Sequence, residues 1–429
     1  MKLSLLKQRN FLLLMQGKFV SLLGSSMQTF ALSLYVLNEY KSSTLFASIL
    51  ILGAIPELVL GPFAGVLVDW FDRKKIMVYS DLFSALLVGS MSAYAMYNGR
   101  LELWQVYFMV LSLSLVGVIF GPALSTVIPT IISKEDLYDA NSINRTLLTF
   151  AKIVSPIVAG LLMGFASIGT IMTINAVSFF LSAISEMFID LPKVVKKRSE
   201  MTVQAFKEDF VEGVRFVKDN SFLLNIMLIS LVFNFTIAPV YSVAMPYILK
   251  VDMLISDIHF GIFESVILAA SLVSPLLGSF ISKKMSVEKI VYYDILAQPF
   301  IMVGIIGALL GSFTLVIYGF TTKFLLMLLL NGLAIIVVSI GNIAVDTVMQ
   351  TVIPRELLGR VGTVMMAVGM AAMPLGQGLF GLVMDVAPLW IPLAVSAVGL
   401  FALAIHTKRV FLSKGQSGKV HIHTTSEVG

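Results

Sequence analysis

The chain has 429 residues, of which 58% are hydrophobic and 13% are charged, and its formal net charge is +5. Soluble domains carry about 25% charged residues, so this composition excludes an ordinary soluble protein. The absence of cysteine excludes disulfide bonds and thiol chemistry. The sequence also lacks a glycine-rich phosphate loop and an HExxH motif, and we expect no cofactor, no metal site and no enzymatic activity.

Apolar runs long enough to cross a lipid bilayer recur along nearly the whole sequence. A membrane-spanning helix needs roughly 20 mostly apolar residues. The first run is too long for a signal peptide and lacks a small-residue cleavage pattern, so we interpret it as a retained span. We therefore predict an all-α membrane protein with twelve spans, which cover residues 11–37, 45–69, 76–97, 104–130, 140–165, 168–190, 221–249, 258–282, 288–311, 320–348, 356–383 and 388–408.

The distribution of basic residues predicts how these spans are oriented. With the N-terminus in the cytoplasm, the tails and the even-numbered loops, with the span ends beside them, hold 24 of the 30 lysine and arginine residues. The odd-numbered loops hold only Lys41, Arg100, Lys250 and Lys323. This asymmetry satisfies the positive-inside rule, so we expect an integral multi-pass protein with both termini in the cytoplasm.

Four charged side chains lie well inside predicted spans, where charge is expensive and usually functional. Glu57 in span two and Lys152 in span five lie near mid-membrane, whereas Lys18 and Glu264 lie nearer the ends of spans one and eight. We predict that Glu57 pairs with Lys152 or Lys18, and that a proton or the substrate breaks the pair. The alternative is a static ion pair or a lysine that extends towards the interface, and this is favoured for Lys18 and Glu264.

The turn GVLVDWFDRKKIMVYSD, which begins at Gly65 and joins spans two and three, concentrates charge of both signs. Gly65 permits a close helix approach, and Asp69 precedes Arg73 by the four residues that pair opposite charges on a helix. With Asp72 and Lys74, these residues form a candidate cytoplasmic gate. For Lys74 simple anchoring of the span is favoured, but for Asp69 a gating role is favoured, because an acid contributes little to orientation.

Residues 191–220 interrupt the apolar runs and hold seven basic residues. Apolar residues recur there at the spacing of an amphipathic helix on the inner membrane surface: Val203, Phe206, Phe210, Val214 and Val217. A linker helix that covers the bundle is favoured over a regulatory role. The predicted domains are an N-terminal six-helix bundle (1–190), this linker (191–220), a C-terminal six-helix bundle (221–410) and a flexible cytoplasmic tail (411–429).

The two halves of the chain carry a related sequence at the same place. GPFAGVLVDWFDRKKIMVYSD joins spans two and three, and SPLLGSFISKKMSVEKIVYYD joins spans eight and nine. Aligning Gly65 with Gly278 places Asp81 on Asp294, sixteen residues further along in each case. Internal repeats of this kind typify secondary transporters, in which one half rocks against the other about a central site.

The turn resembles the loop-two signature of the major facilitator superfamily, G-x-x-x-D-[RK]-x-G-[RK]-[RK]. Gly65, Asp69, Arg73 and Lys74 match it, whereas two positions between Asp69 and Arg73 do not. The D-x-x-D-R-[RK] version is similar to a branch with macrolide-efflux proteins and enterobactin exporters, as are PALSTVIPTIISKEDLYDANS and LLGRVGTVMMAVGMAAMPLG. The resemblance implies two six-helix bundles in a bacterial plasma membrane, and contact of Asp69 with the partly positive N-terminal end of span eleven when the cytoplasmic side is shut.

The resemblance also implies a cavity lined mainly by spans one, four, seven and ten. Span four lacks the arginine found in many proton-coupled antiporters of the superfamily, so Glu57 and Lys152 become candidates for coupling. Span five keeps a degenerate G-P-x-x-G-G motif from Ser155 to Gly160, whose small residues permit tight packing between the halves. The candidate substrate contacts are Gln28, Phe233, Asn234, Tyr241, Asn331 and Asn342.

These observations predict a secondary active exporter of amphipathic small molecules, with macrolide-like drugs as the first candidate, working by alternating access and coupled to protons. Aromatic and methionine side chains with scattered amides suit a bulky amphipathic cargo. The alternatives left open are a siderophore exporter of the same fold, a proton-dependent importer, and a non-transporting membrane scaffold or sensor. We expect a monomer whose partners are the small-molecule substrate, the coupling ion and membrane lipid, and not nucleic acid.

Overall fold

A computed structural model of the chain describes residues 2–191, 203–311, 316–317, 320–354 and 357–412. The first part of the predicted linker and the predicted tail beyond residue 412 lie outside these ranges. Within them, twelve helical segments are long and apolar enough to cross a membrane, which confirms the predicted all-α fold with twelve spans.

The first six spanning helices follow one another through short turns, as the positions of the apolar runs predict. Two 3₁₀ turns, Leu3–Lys7 and Lys134–Asp136, precede the first and fifth of them. The helices are α1 (Arg9–Tyr40), α2 (Ser43–Trp70), α3 (Arg73–Asn98), α4 (Leu103–Ile131), α5 (Leu137–Phe165) and α6 (Ile168–Met187).

The second half begins with the linker helix α7 (Val203–Asp219) and is less regular. Span seven is α8 (Ser221–Pro239), a π-helical segment (Val240–Ala244), α9 (Met245–Tyr247) and a second π-helical segment (Ile248–Asp252). Span eight is α10 (Asp257–Ser271) and α11 (Ser274–Ser282). The remaining elements are α12 (Val287–Leu310), β1 (Val316–Ile317), β2 (Phe320–Thr321), α13 (Thr322–Val352), α14 (Leu358–Val386), α15 (Trp390–Thr407) and a π-helical end (Lys408–Leu412); β1 pairs antiparallel with β2.

Local chemistry sets several of the helix boundaries. Ser42 accepts a hydrogen bond from the backbone N–H of Leu45 at the start of α2, and Asp72 accepts one from Lys75 at the start of α3. These side chains satisfy N–H groups that the first helical turn leaves free. At the end of α1, Lys41 adopts a left-handed backbone with φ of 49°, which stops the helix. The connections between these helices are therefore short and fixed.

The irregular backbone of span seven coincides with its prolines. Pro239 ends α8 directly before the first π-helical segment, and Pro246 lies in the short α9. Proline removes a backbone donor and displaces the carbonyl one turn earlier, so the helix widens locally. Such π-helical insertions occur frequently at functional sites.

The chain divides into two compact units. Unit 1 comprises Met1–Phe206, Ala238–Ala269 and Pro374–Leu389, and unit 2 comprises Lys207–Ile237, Ala270–Met373 and Trp390–Gly429. These bounds differ from the predicted bundles because part of span seven, most of α10 and the C-terminal end of α14 pack with the first six helices. Within unit 1, α1 packs on α5 and α6, α3 on α6, and α2 on α4; within unit 2, α12 packs on α13 and α15.

The amphipathic helix predicted in the linker is present as α7 and packs within unit 2. Val217 is 1% exposed and belongs to an apolar cluster with Val361 of α14. Glu212 forms an ion pair with Arg360. Gly213 of α7 lies so close to the backbone of Arg360 that a Cβ atom at Gly213 would be 2.8 Å from the carbonyl oxygen of Arg360. The linker helix is thereby docked on the N-terminal end of α14.

Candidate functional site

A cavity of about 400 Å³ lies in unit 1 between α1, α2, α5, the π-helical part of span seven and α10. Its volume falls in the range of small-molecule sites. Two of its aromatic rings, Phe30 and Phe260, are stacked with centroids 5.3 Å apart. The cavity therefore offers flat apolar surfaces to a bound molecule.

Charge and hydroxyl groups interrupt this apolar lining. Lys152 of α5 and Glu264 of α10 both line the cavity, as do Thr29 and Ser33 on α1. Neither Lys152 nor Glu264 forms a salt bridge with a residue in the described ranges. A cavity with rings, hydroxyls and two unpaired charges suits a molecule that is partly apolar and partly charged.

The carboxylate of Asp385, near the end of α14, lies at the N-terminus of α2. It accepts hydrogen bonds from the backbone N–H of Ser43 (2.7 Å) and Thr44 (3.1 Å) and from the hydroxyls of Ser42 and Ser43 (both 2.7 Å). The single proton of the Ser43 hydroxyl is shared between Asp385 and the carbonyl of Gly381, which also accepts from the hydroxyl of Thr44. We call this cluster of Ser42, Ser43, Thr44, Gly381 and Asp385 the outer latch, because its loop is predicted to be external.

The outer latch stabilises both the carboxylate of Asp385 and the N-terminus of α2. The first N–H groups of a helix have no partner within the helix, and together they carry partial positive charge. A carboxylate placed there gains charge-assisted hydrogen bonds. The sequence analysis missed Asp385, although Gly381-x-x-x-Asp385 repeats the Gly-x-x-x-Asp spacing of Gly65 and Asp69. That repeat was the available signal.

A buried ion pair reinforces the same face of unit 1. The amine of Lys250, at the end of span seven, lies 2.5 Å from Asp257 Oδ1 at the start of α10, with side chains 6% and 18% exposed. The same amine donates to the carbonyl of Ile255 (2.9 Å), and Asn38 of α1 donates to Asp257 (3.2 Å). The sequence analysis named Lys250 only as one of four basic residues in the predicted external loops. Its buried partner explains why it is there.

Helices α5 and α10 cross with their backbones in contact. A Cβ atom at Gly160 would lie 2.5 Å from the carbonyl oxygen of Asp257, and one at Gly261 would lie 3.1 Å from the carbonyl carbon of Pro156. Only residues without a side chain fit here. The small residues of the degenerate span-five motif thus lie where a helix from the first half of the chain meets one from the second.

The predicted cytoplasmic gate is described in part. The surroundings of Gly65 and the side chain of Asp69 lie outside what the structure describes. Asp72 caps α3, and the amine of Lys74 donates to the carbonyl of Ile189 at 2.8 Å. The turn between Asp69 and Arg73 is not helical throughout, because α2 ends at Trp70 before an extended Phe71 and α3 begins at Arg73. The pairing of Asp69 with Arg73 stays a prediction. The gating role of these residues stays a prediction.

The three coupling candidates lie apart. Glu57 is exposed, Lys152 lines the 400 Å³ cavity, and Lys18 donates to Asn144 Oδ1 at 2.7 Å. Within the described part of the chain, no salt bridge joins Glu57 to Lys152 or to Lys18, so the expected pair is absent from this structure. Glu264, for which a static role was favoured, shares the cavity with Lys152 instead.

The predicted substrate contacts are also spread over both units. Tyr241 lines the 400 Å³ cavity, and Gln28 lines a second cavity of about 350 Å³ in unit 1, where it accepts a hydrogen bond from Asn175 (2.7 Å). The remaining candidates belong to unit 2: Phe233, Asn234, Asn331 and Asn342. Asn331 is 1% exposed and donates to Met327 of its own helix, whereas Asn342 is exposed.

The family described as transmembrane secretion effector matches residues 1–426. Macrolide efflux protein A of Streptococcus pyogenes is 28% identical over 52% of this chain and 55% of its own length. A putative bacilysin exporter, BacE of Bacillus subtilis, is 28% identical over 58% of this chain and 60% of its own length. The chain thus spans about half the length of these curated relatives in the matched segments.

Solved structures show the same fold at low sequence identity. The nucleoside transporter NupG is 13% identical, with a TM-score of 0.74 over 94% of this chain and 99% of that one. A bacterial homologue of the iron transporter ferroportin in an inward-facing state is 16% identical, with a TM-score of 0.66 over 95% and 98%. At these identities the likeness concerns the arrangement of the helices and not the substrate.

Proposed function

Because the chain belongs to the transmembrane secretion effector family, within the major facilitator superfamily, we propose that it exports amphipathic small molecules by alternating access. Macrolide-like drugs are the first candidate substrate. The names of two relatives, a macrolide efflux protein and a putative bacilysin exporter, support export over uptake. They also support transport over a scaffold or sensor role.

The observation that carries the proposal is the 400 Å³ cavity with Lys152 and Glu264 in its wall. An amphipathic drug with an amine places its apolar rings against Phe30 and Phe260 and its cation near Glu264. In a site of low polarity, a carboxylate without a bound cation is costly, so a cationic substrate stabilises it. Lys152 then sets how much net charge the cavity accepts.

Alternating access needs a closure on each side of this cavity. On the predicted external face, the outer latch and the Lys250–Asp257 pair hold helices from the second half of the chain against α1 and α2. On the predicted cytoplasmic face, we propose the turn around Asp69 as the second closure. The plasma-membrane location with both termini in the cytoplasm, the monomeric state and coupling to protons are part of the same proposal.

Accumulation of ethidium and labelled erythromycin in inverted membrane vesicles tests the proposal. We expect energised vesicles with the protein to accumulate either probe, and an uncoupler to abolish the accumulation. Glu264→Gln should lower ethidium accumulation, because it removes the charge that faces a cation. Glu102→Gln is the matched control, because Glu102 is a half-exposed acid that pairs with Arg100 at 3.0 Å.

The opposing outcomes are distinct. No accumulation of any compound across a broad drug panel would contradict drug export, and loss of catecholate siderophore release from cells lacking the protein would favour the siderophore alternative. Accumulation that is insensitive to the uncoupler but depends on another ion gradient would exclude the proton as the coupling ion. Equal ethidium accumulation by Glu264→Gln and wild type would contradict the assignment of the 400 Å³ cavity as the substrate site.

A further inference from the structure

Two buried acids face each other between α3 and α6, away from the cavity described above. The helices run antiparallel, with the hydroxyl of Ser92 donating to the carbonyl of Gly169 at 2.6 Å. Further along the same interface, Asp81 faces Ser182 and Glu186. Asp81 and Glu186 are each 2% exposed. The sequence analysis noted Asp81 only for its alignment with Asp294.

Neither of these two acids forms a salt bridge within the described residues, although the Lys18 amine lines the same cavity as Asp81. Asp81 Oδ2 and Glu186 Oε2 have no hydrogen-bond partner in the same part of the chain. The charged groups nearby on the packed elements have other partners. On α1, Lys18 donates to Asn144; on α3, Lys74 donates to the carbonyl of Ile189; and after α6, Asp190 pairs with Arg9 at 3.6 Å.

Electrostatics limits the charge that such a pair can carry. A carboxylate buried without a partner is costly, and two carboxylates that share a dry site cannot both be ionised. One proton shared by the two acids removes this conflict and supplies a donor for the facing oxygen. The arrangement therefore holds at least one proton.

The two acids differ in their access to water. Asp81 lines the second cavity, of about 350 Å³, together with the polar side chains Lys18, Gln28, Ser84 and Asn175. Glu186 is not among the residues that line this cavity. Asp81 is therefore the better placed of the two acids to exchange a proton with water in the cavity.

We propose that Asp81 and Glu186 form a proton-binding site that exchanges its proton with water of the 350 Å³ cavity, and that this exchange couples proton movement to substrate export. The second part of this proposal, that proton exchange is coupled to export, rests on the proposed function, but the proton-binding site itself does not. Loading takes the pair from one bound proton to two and its net charge from −1 to 0, and release returns it to one proton and one negative charge. The packing of α3 on α6 then changes with each cycle.

The second half of the chain lacks a second acid at the matching place. Asp294, which aligns with Asp81, is 8% exposed, and its Oδ1 lies 3.4 Å from Gln298 Nε2. Asp294 packs against Gly341 of α13, so closely that a side chain at that glycine would collide with its carboxyl group. The helix that packs on α12, as α6 packs on α3, is α15, and Trp390–Thr407 contains no acid, so the second half has no counterpart of the Asp81–Glu186 pair.

Infrared difference spectroscopy of the purified protein in lipid nanodiscs tests the proton site without any substrate. At neutral pH we expect the C=O stretch of a buried carboxylic acid, and we expect Glu186→Gln to remove it. Glu186→Asp, which keeps an acid, should shift the band and not remove it, so the assignment does not depend on one variant folding. The matched control Asp190→Asn, an exposed acid four residues away, should keep the band.

Transport measurements test the coupling half. We expect Glu186→Gln and Asp81→Asn to lose ethidium accumulation driven by a pH gradient, while exchange of ethidium without a gradient persists. Asp190→Asn should behave as wild type in both measurements. If wild-type protein moves no ethidium, the proposed function fails for this probe, whereas the infrared result still decides the proton site.

Three results would overturn the proposal. The first is a wild-type spectrum without a buried carboxylic acid band, or a band that Glu186→Gln leaves unchanged. The second is a band that appears only when Na⁺ is withdrawn at constant pH, which would assign the pair to a metal cation. The third is gradient-driven accumulation by Glu186→Gln equal to that of active wild-type protein.

Discussion

Asp385 acts as a helix cap for a helix that lies more than 300 positions earlier in the chain. Most caps are local, because the capping residue directly precedes its helix. Ser42 fills that local role for α2, and Asp385 adds the charge that a serine lacks. In the proposed alternating-access cycle, this contact suits a closure that must also open, since a distant cap can leave without unfolding the helix.

We predict that Asp385→Asn opens the predicted external side of the cavity more often. A capping interaction contributes about 1 kcal/mol, so its loss should raise the open fraction about fivefold. The chain has no cysteine, so Ser33→Cys in the cavity wall can report access to a membrane-impermeant maleimide. Labelling from the external side should be faster in Asp385→Asn, and Glu102→Gln in the same background should leave the rate unchanged. Equal rates in all three proteins would mean that the latch does not hold the closure.

Single residues were the least predictable part of the site. Lys152 was predicted because a charge inside an apolar run is conspicuous in any sequence. Glu264 was noticed for the same reason, but its place in the cavity was not foreseen, because that depends on how α10 lies against α5. Asp385 and Asp257 lie at span ends, where acids are common, so only their partners at Ser43 and Lys250 distinguish them. Such pairs of residues, distant in the sequence, can be recognised only once the fold is known.

The spanning helices were predictable as elements, and their ends were not. Apolar residues mark only the hydrocarbon part of a helix, whereas hydrogen bonding continues until a cap or a left-handed residue stops it. Span one, predicted as 11–37, is therefore Arg9–Tyr40, and span four, predicted as 104–130, is Leu103–Ile131. The π-helical segments of span seven follow prolines that the sequence shows, but proline alone does not specify how the helix widens.

The crossing of α5 and α10 gives a prediction for a pair of neighbouring glycines. A Cβ atom at Gly160 would lie 2.5 Å from the carbonyl oxygen of Asp257, whereas one at Gly164, on the same helix, would touch only the side chain of Ile258 at 3.7 Å. Overpacking of this kind costs about 1–3 kcal/mol. We expect Gly160→Ala to lower the thermal unfolding midpoint of the purified protein and Gly164→Ala to leave it unchanged or raise it. If the two variants unfold alike, the crossing is not tight.

The whole molecule shows a relation between α2 and α14 that neither helix shows alone. Each ends in Gly-x-x-x-Asp: Gly65 and Asp69 on α2, and Gly381 and Asp385 on α14. The structure has Asp385 on the N-terminus of α2, and the family resemblance implies that Asp69 contacts the N-terminus of α14 in another state. Since the two contacts lie at opposite ends of the same helices, they suit a transporter that closes one side at a time.

A reversible cross-link between α2 and α14 therefore tests whether the external closure must open during transport. A Cβ atom at Gly378 would lie 3.3 Å from the side chain of Ile51, one to two turns from the outer latch, so Ile51→Cys with Gly378→Cys should accept a short thiol cross-linker. We expect the cross-linked protein to lose ethidium accumulation and a reductant to restore it. The matched control is Gly53→Cys with Val110→Cys, where a Cβ atom at Gly53 would lie 3.4 Å from Val110 and both helices, α2 and α4, belong to the first six. Cross-linking that pair should leave transport intact; full transport with α2 and α14 joined would show that these helices stay together throughout the cycle.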